Sequence, residues 1–213
     1  MAQTPRRVFF LIYDQVEILD LAGAYDVFTI ANIASGERAF ELHTVSPTKG
    51  AIGPMRHPAQ PDRGLHLEAT HTIDAWSDQP IDMLVIPGGP PDLMLEFKQR
   101  YPAVIDWIAG QRPKVKILAT VCVGALIAAQ ANVFDGLKAT THSANIGDLE
   151  KLTQGRGTDV VSGVRFVDDG QAPNVISSAG VTAGIDMAFH VVGKLLGEGV
   201  RRRTAGIMEY NLV

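Results

Sequence analysis

The stretch Lys116–Gln130, KILATVCVGALIAAQ, holds the only cysteine among 213 residues. Val115 to Thr120 reads as a buried strand, and Gly124 to Ala131 as a small-residue helix. Cys122 lies between them, in Thr120-Val-Cys-Val-Gly124. That layout matches a nucleophile elbow, a tight strand-to-helix turn that projects one side chain. Gly124 removes a side chain where such a turn is crowded. The start of the helix turns unpaired N–H groups toward the sulfur, which is expected to lower the thiol pKa. A free cysteine also serves as a small buried hydrophobe, and both readings stay open at this point.

Outward from the elbow the chain alternates. Val8 to Tyr13 and Met83 to Ile86 are short apolar runs that predict buried strands. Val16 to about Ala34 predicts a helix, with Ile18, Leu21, Tyr25 and Phe28 as its apolar stripe. Further strands are predicted over Phe40 to Ser46, Leu65 to Ile73 at a sheet edge, Lys138 to Thr141, Val160 to Val167 and Asn174 to Ser178. Further helices are predicted over Pro102 to Gln111, Ile146 to Thr153 and Thr182 to Leu196, with Thr182 as N-cap. FVDDGQ supplies a hairpin turn through Asp169-Gly170. Strand-helix alternation predicts an α/β fold with a mostly parallel sheet covered on both faces. No repeat or linker divides the chain, so residues 1–213 are expected to form a single domain. Ligands in such sheets bind beyond the carboxyl ends of the strands. That rule brings the residues after Tyr13, Ile86 and Thr120 to one place.

The composition narrows the function classes. Apolar residues at 46% and charged residues at 20% suit a soluble globular chain. A net charge of −4 argues against a general polyanion binder. Arg201-Arg202-Arg203 reads as a helix C-terminal or surface feature. One cysteine forms no intramolecular disulfide and no multi-cysteine zinc site. No early stretch has signal-peptide order, and VFFLIY is too short to span a bilayer. The expectation is a cytoplasmic protein without a membrane partner.

Three other stretches carry candidate chemistry. Glu17 and Asp20 share a face at the start of the first helix. Acids there favour the helix dipole, but Asp20 lies between Leu19 and Leu21, where an exposed acid is less expected. A buried carboxyl at that point would carry protons. Pro87-Gly88-Gly89 stops a strand. An exposed N–H of Gly88 or Gly89, with that of Val123, would form an oxyanion hole. No phosphate loop or dinucleotide fingerprint is present. His142 follows a strand near the elbow and is the one candidate general base, although structural hydrogen bonding is the commoner use of such a residue. His66 and His71 face opposite sides of their predicted strand, and His43, His57 and His190 lack an evident partner. No metal site and no cofactor are expected. Asp186 reads as a helix-start or packing residue.

VEILDLAGAYDVF, VIPGG, TVCVGALIAAQANVFDGLKATTH and SSAGVTAGIDMA occur in this order. Together they resemble the ThiJ/PfpI superfamily with its glutamine-amidotransferase-like fold, from about Val8 to Tyr210. The chain is most similar to the isocyanide hydratase branch, which also includes amino-terminal sensing domains of AraC-type regulators. The resemblance implies a flavodoxin-like α/β/α sandwich, usually a homodimer, with Cys122 as nucleophile and Asp20 as its acidic partner. Gly89 falls in the oxyanion turn, and His142 matches a histidine found near the cysteine in many relatives. Glu17 lies one turn too early to align. The implied reaction adds water to an isocyanide, giving an N-substituted formamide. Hydrolysis of an amide is the lesser enzymatic alternative. Two positions depart from the branch: Val123 replaces a threonine and Ser143 a tryptophan. They favour a non-catalytic ligand sensor as an alternative, and an acidified elbow thiol open to oxidation keeps a redox sensor as another. The expected partners are a small-molecule substrate or ligand and a second copy of the chain. Nucleic acid is not expected for this chain alone. The Pro/Gly-rich stretch Ile52 to Gly64 is expected to shape the pocket mouth.

Overall fold

The computed structural model describes residues 4–53, 65–76 and 80–212. In chain order, the first half contains β1 (Arg6–Leu11), α1 (Ile18–Ser35), β2 (Phe40–Ser46), β3 (Ala51–Ile52), β4 (Leu67–Glu68), β5 (His71–Thr72) and β6 (Met83–Ile86). Then come α2 (Pro91–Leu95), α3 (Phe97–Arg100), α4 (Pro102–Gln111), β7 (Ile117–Thr120) and α5 (Gly124–Gln130). The remainder is β8 (Lys138–Ala139), α6 (Ile146–Leu152), β9 (Asp159–Val160), β10 (Phe166–Asp168), β11 (Asn174–Ser178), α7 (Ala183–Leu196) and α8 (Glu198–Ile207).

Seven strands form one sheet in the order β10-β11-β7-β6-β1-β2-β5. Every pairing is parallel except β10 with β11. All four residues of β6 and of β7 are buried, as continuous apolar runs require when helices cover both faces. Helices α1, α7 and α8 pack together as one layer, and α4, α5 and α6 as the other. The fold is thus the α/β/α sandwich expected from the alternation.

Several predicted elements come out shorter. The strand expected over Leu65 to Ile73 is two fragments. Leu67–Glu68 pairs antiparallel with β3, and His71–Thr72 forms the edge of the main sheet. The strand expected over Val160 to Val167 is likewise split. Its start joins β8 in a separate two-stranded ribbon, and its end is the antiparallel edge β10. Gly163, at φ +74°, lies in the break, a conformation that interrupts a strand. Helices α2 and α3 were not predicted. Pro91 at the first turn of α2 starts a helix where prolines had suggested only a turn. The stretch 54–64 lies outside the described residues, so the expected mouth-shaping role of Ile52 to Gly64 falls largely there, as does His57.

The buried face of α1 differs from the predicted stripe. Asp20, Leu21, Gly23, Ala24, Val27, Phe28 and Ala31 point inward. Tyr25 is 37% exposed. Small residues decide this: a Cβ on Gly23 would lie 2.8 Å from Ile185 on α7, so the helices meet through Gly23 and Ala24. By length and composition α1 is apolar enough to cross a membrane, yet here it is a core helix packed on α7 and α8. This packing places Asp20 at 0% exposure.

Four polar residues have partners that the sequence did not reveal. His43 Nδ1 lies 3.2 Å from His71 Nε2, with the His43 ring stacked on Phe9. His190 and Lys194 both bond to Asp168, at 2.7 and 2.8 Å. Asp186 is more than a packing residue: it pairs with Arg165 and accepts from the Tyr210 hydroxyl at 2.7 Å. Thr182 sits at the N-cap position of α7 but makes no capping bond; its hydroxyl accepts from Arg165. The arginine cluster lies inside α8. Arg201 and Arg202 bond to Glu198, and Arg203 donates to the Ala34 carbonyl.

Candidate active site

The elbow forms as the sequence suggests. Cys122 directly follows the strand-ending residues and adopts φ of +55°, a left-handed conformation that is strained for a residue with a side chain. Contacts from two sides hold it there. Its N–H donates to the Ala179 carbonyl at 3.1 Å, and its carbonyl accepts from the Thr141 hydroxyl at 2.9 Å. Gly124 is required by close approach. A Cβ there would lie 2.2 Å from the Ile86 carbonyl oxygen and 2.7 Å from that of Pro87. Both are backbone atoms of the neighbouring strand end and cannot swing aside. Gly124→Ala is therefore expected to destabilise the fold by about 3 kcal/mol through overpacking. Urea denaturation measures this, and a change within 0.5 kcal/mol of wild type would mean the elbow can shift freely.

Packing of α1 brings Asp20 to the elbow. Its Oδ2 accepts the Gly88 N–H at 2.9 Å, and Oδ1 is buried without a hydrogen-bond partner. Glu17 caps α1 through a bond from the Leu19 N–H, and its own N–H donates to the Gly88 carbonyl at 2.8 Å. The start of α1 and the glycine turn are thus fastened together on both sides of Gly88. A Cβ at Gly88 would meet Asp20 Oδ2 at 2.9 Å and Val123 Cγ2 at 2.8 Å, so no larger residue fits between carboxyl and elbow. Tyr13, fully buried, donates to the Pro87 carbonyl at 2.7 Å and braces the same turn from beneath. Tyr13→Phe leaves that carbonyl without its donor and is expected to cost about 1–2 kcal/mol in chemical denaturation. Unchanged stability would show that the turn needs no brace.

The electrostatics differ from the expectation of an acidified thiol. Burial, and then the Asp20 carboxylate, push the Cys122 thiol up to about 11. The N–H groups of Val181 and Val123 approach the sulfur and act the other way. Burial likewise pushes Asp20 up to about 7; the Gly88 N–H lowers it, Glu17 raises it and the nearby thiol lowers it. The thiol is thus near enough to act on the carboxyl, whose Oδ1 has no hydrogen-bond partner of its own. The N-terminus of a seven-residue helix does not offset desolvation here. At neutral pH the pair holds the thiol proton and, in part, the carboxyl proton. Such a pair transfers a proton as the sulfur reacts, rather than storing a thiolate beforehand.

The predicted residues converge unevenly. Cys122, Asp20, Gly88 and Val123 come together, with Glu17 at the edge. The Gly88 N–H is directed at Asp20 and so is not an open oxyanion donor. Gly89 is buried and its N–H has no partner among the described residues. The His142 ring makes no hydrogen bond to Cys122 or Asp20 among the described residues. Its Nδ1 accepts from the Ala144 N–H at 3.2 Å, and the ring lies over Gly180, where a Cβ would come within 2.5 Å. Thr141, the residue before His142, bonds to the Cys122 carbonyl. Val181, whose N–H reaches the sulfur, was missed; its φ of +35° is invisible in a sequence, although it stands in the motif SSAGV. Among the described residues no group of three or more His, Cys, Asp or Glu is placed to hold a metal ion.

Known proteins share the sequence and fold of this chain. It is 31% identical to isonitrile hydratase of Pseudomonas putida, over 96% of this chain and 78% of that protein. It is 23% identical to the HTH-type transcriptional regulator GbdR of Pseudomonas aeruginosa, over 97% of this chain but only 50% of the regulator. A ThiJ/PfpI family protein from Pseudomonas syringae superposes with a TM-score of 0.80 at 23% identity, covering 99% of this chain and 77% of that one. An AraC family transcriptional regulator from Pseudomonas putida superposes at 0.76 with 21% identity, covering 96% and 100%. With its elbow cysteine carried on this sheet, and the DJ-1/PfpI family model matching residues 6–194, the chain belongs to the DJ-1/PfpI family.

Proposed function

We propose that the chain is a cysteine-dependent hydratase of small electrophiles, with an isocyanide as substrate. The observation that carries this is the buried Asp20 carboxyl set beside the Cys122 sulfur, with the Val123 and Val181 N–H groups also aimed at that sulfur. The Asp20 carboxylate takes the thiol proton as sulfur attacks the terminal carbon of R–N≡C. The same proton returns to that carbon, giving the thioimidate R–N=CH–S. Water then adds, the C–S bond breaks, and the sulfur regains a proton as R–NH–CHO leaves. The Gly89 N–H is the donor left for charge that develops on the substrate. The similarity to isonitrile hydratase supports the substrate class.

The test uses wild-type protein and an aryl isocyanide in 18O-labelled water. Formamide carrying the label is expected, with a thioimidate adduct on Cys122 seen by mass spectrometry after rapid quenching. No formamide above the protein-free rate would remove the proposal. A second reading, a ligand sensor without turnover, is supported by the likeness to the regulators and by a thiol held in its neutral form. It predicts saturable isocyanide binding with no product.

We also propose the homodimer that the family resemblance implies. Leu19, Tyr25 and Ile33 are exposed on the outer face of α1, and Ile33 is 64% exposed. Sedimentation is expected to give a mass near twice 22.9 kDa. A monomer at all accessible concentrations would exclude it.

A further inference from the structure

The peptide unit between Cys122 and Val123 carries a group that matters to the site at each end. Its carbonyl accepts from the Thr141 hydroxyl at 2.9 Å. Its N–H is that of Val123, which approaches the Cys122 sulfur and lowers the thiol pKa. A trans peptide is planar, so its C=O and N–H point in opposite directions. Whatever fixes the carbonyl therefore fixes the N–H as well.

Without Thr141 this peptide is weakly held. The other partner of the Cys122 carbonyl among the described residues is the Ala125 N–H, at 3.4 Å, a long bond. The Val123 N–H itself makes no backbone hydrogen bond among the described residues. Cys122 sits at φ +55°, a conformation that persists only while its surroundings enforce it. Thr141 is well placed to enforce it. It is buried at 1% exposure, and the residues on either side of it are anchored. The Thr140 N–H donates to Ser177 Oγ at 2.8 Å, and the His142 carbonyl accepts from the Asn145 N–H at 2.8 Å. The hydroxyl is thus a fixed point, and the carbonyl must come to it.

We propose that Thr141 is a positioning residue: its hydroxyl locks the peptide between residues 122 and 123, so that the Val123 N–H stays on the sulfur. Thr141 acts through that peptide and touches neither thiol nor substrate. The N–H it aligns stabilises negative charge on sulfur as the proton leaves. This rests on the reading of Cys122 as the nucleophile.

The test follows alkylation of Cys122 by iodoacetamide as a function of pH. Thr141→Val keeps the side-chain shape and removes the hydroxyl, and Thr141→Ser restores it. Thr141→Val is expected to slow alkylation at pH 8 by about three- to tenfold and to move the midpoint of the pH profile upward. Thr141→Ser should stay within about twofold of wild type. A merely structural role would lower the melting temperature and leave the midpoint in place. With an aryl isocyanide, kcat should fall in Thr141→Val while KM holds. If wild-type protein forms no formamide, the hydratase reading fails and the alkylation profiles still decide the role of Thr141. Should Thr141→Val fold poorly, wild-type protein supplies the measurement. Its Thr141 hydroxyl proton should appear by NMR as a slowly exchanging resonance, and the Val123 amide resonance should follow the thiol titration. An unmoved midpoint in folded Thr141→Val, a Thr141→Ser protein as slow as Thr141→Val, or a Val123 amide indifferent to the thiol titration would each overturn the proposal.

Discussion

Cys122→Ala is expected to reduce formamide production from an aryl isocyanide to the uncatalysed rate, a loss on the order of 10⁴-fold or more. The Val123 and Val181 N–H groups approach the sulfur, the Asp20 carboxylate acts on it, and the chain has no other cysteine to replace it as nucleophile. The fold should survive. Cys122 is buried at 6% exposure, and alanine retains its Cβ while removing a single heavy atom. The bonds that hold the elbow run from the backbone of residue 122, to Ala179 and from Thr141, and do not involve the side chain. The expected change in stability is under about 1.5 kcal/mol. Gas chromatography of the product and urea denaturation of the same preparation separate the two effects. Turnover that persists in a folded Cys122→Ala protein would reduce the elbow to an architectural feature.

Asp20→Asn is expected to lower turnover by about 10²- to 10⁴-fold, the usual contribution of a positioned acid-base group. Its pH signature is more discriminating than its size. In the proposed mechanism the carboxylate form accepts the thiol proton, so activity should rise with pH through about 7 and hold toward about 11, where the thiol itself ionises. The limb near 7 should vanish in Asp20→Asn, leaving only a slow rise as thiolate forms. Stability should change in the opposite sense. Burial raises Asp20 from its ordinary 3.8, so the folded state binds this proton more tightly than the unfolded chain. Stability contributed by the protonated group is complete below about 4 and is lost as pH rises through about 7. The scale is about 1.4 kcal/mol for each pH unit of displacement. Asparagine keeps an oxygen for the Gly88 N–H but never carries the buried charge. The variant should therefore match wild type near pH 4 and melt at a higher temperature at pH 8. A variant that is less stable at pH 8, with the limb near 7 intact, would place the acid-base group elsewhere.

Much of this molecule was legible in its residues. The apolar runs at Val8 to Tyr13, Met83 to Ile86 and Val115 to Thr120 specify strands buried on both faces, and the helices between them impose parallel pairing. The spacing of Cys122 and Gly124 specifies an elbow, because only glycine fits 2.2 Å from where the Ile86 carbonyl lies. These are local properties, set by each residue's shape and by its neighbours along the chain. Strand ends were harder, since pairing of two-residue fragments such as β5 and β9 depends on which partners arrive beside them.

The character of the site was decided in three dimensions. Asp20 and Gly88 are 68 residues apart, and only the docking of α1 onto the sheet directs that N–H at the carboxyl instead of leaving it open. The same docking removes water from sulfur and carboxyl together, and desolvation outweighs the helix terminus that the sequence placed beside the thiol. His142 is drawn toward a local cap and Gly180, while Val181 gains a contact with the sulfur through a backbone angle that no residue pattern announces. Periodicity records what each segment would bury. Which groups share that burial, and therefore which protons they hold, depends on distances between segments that the linear order does not contain.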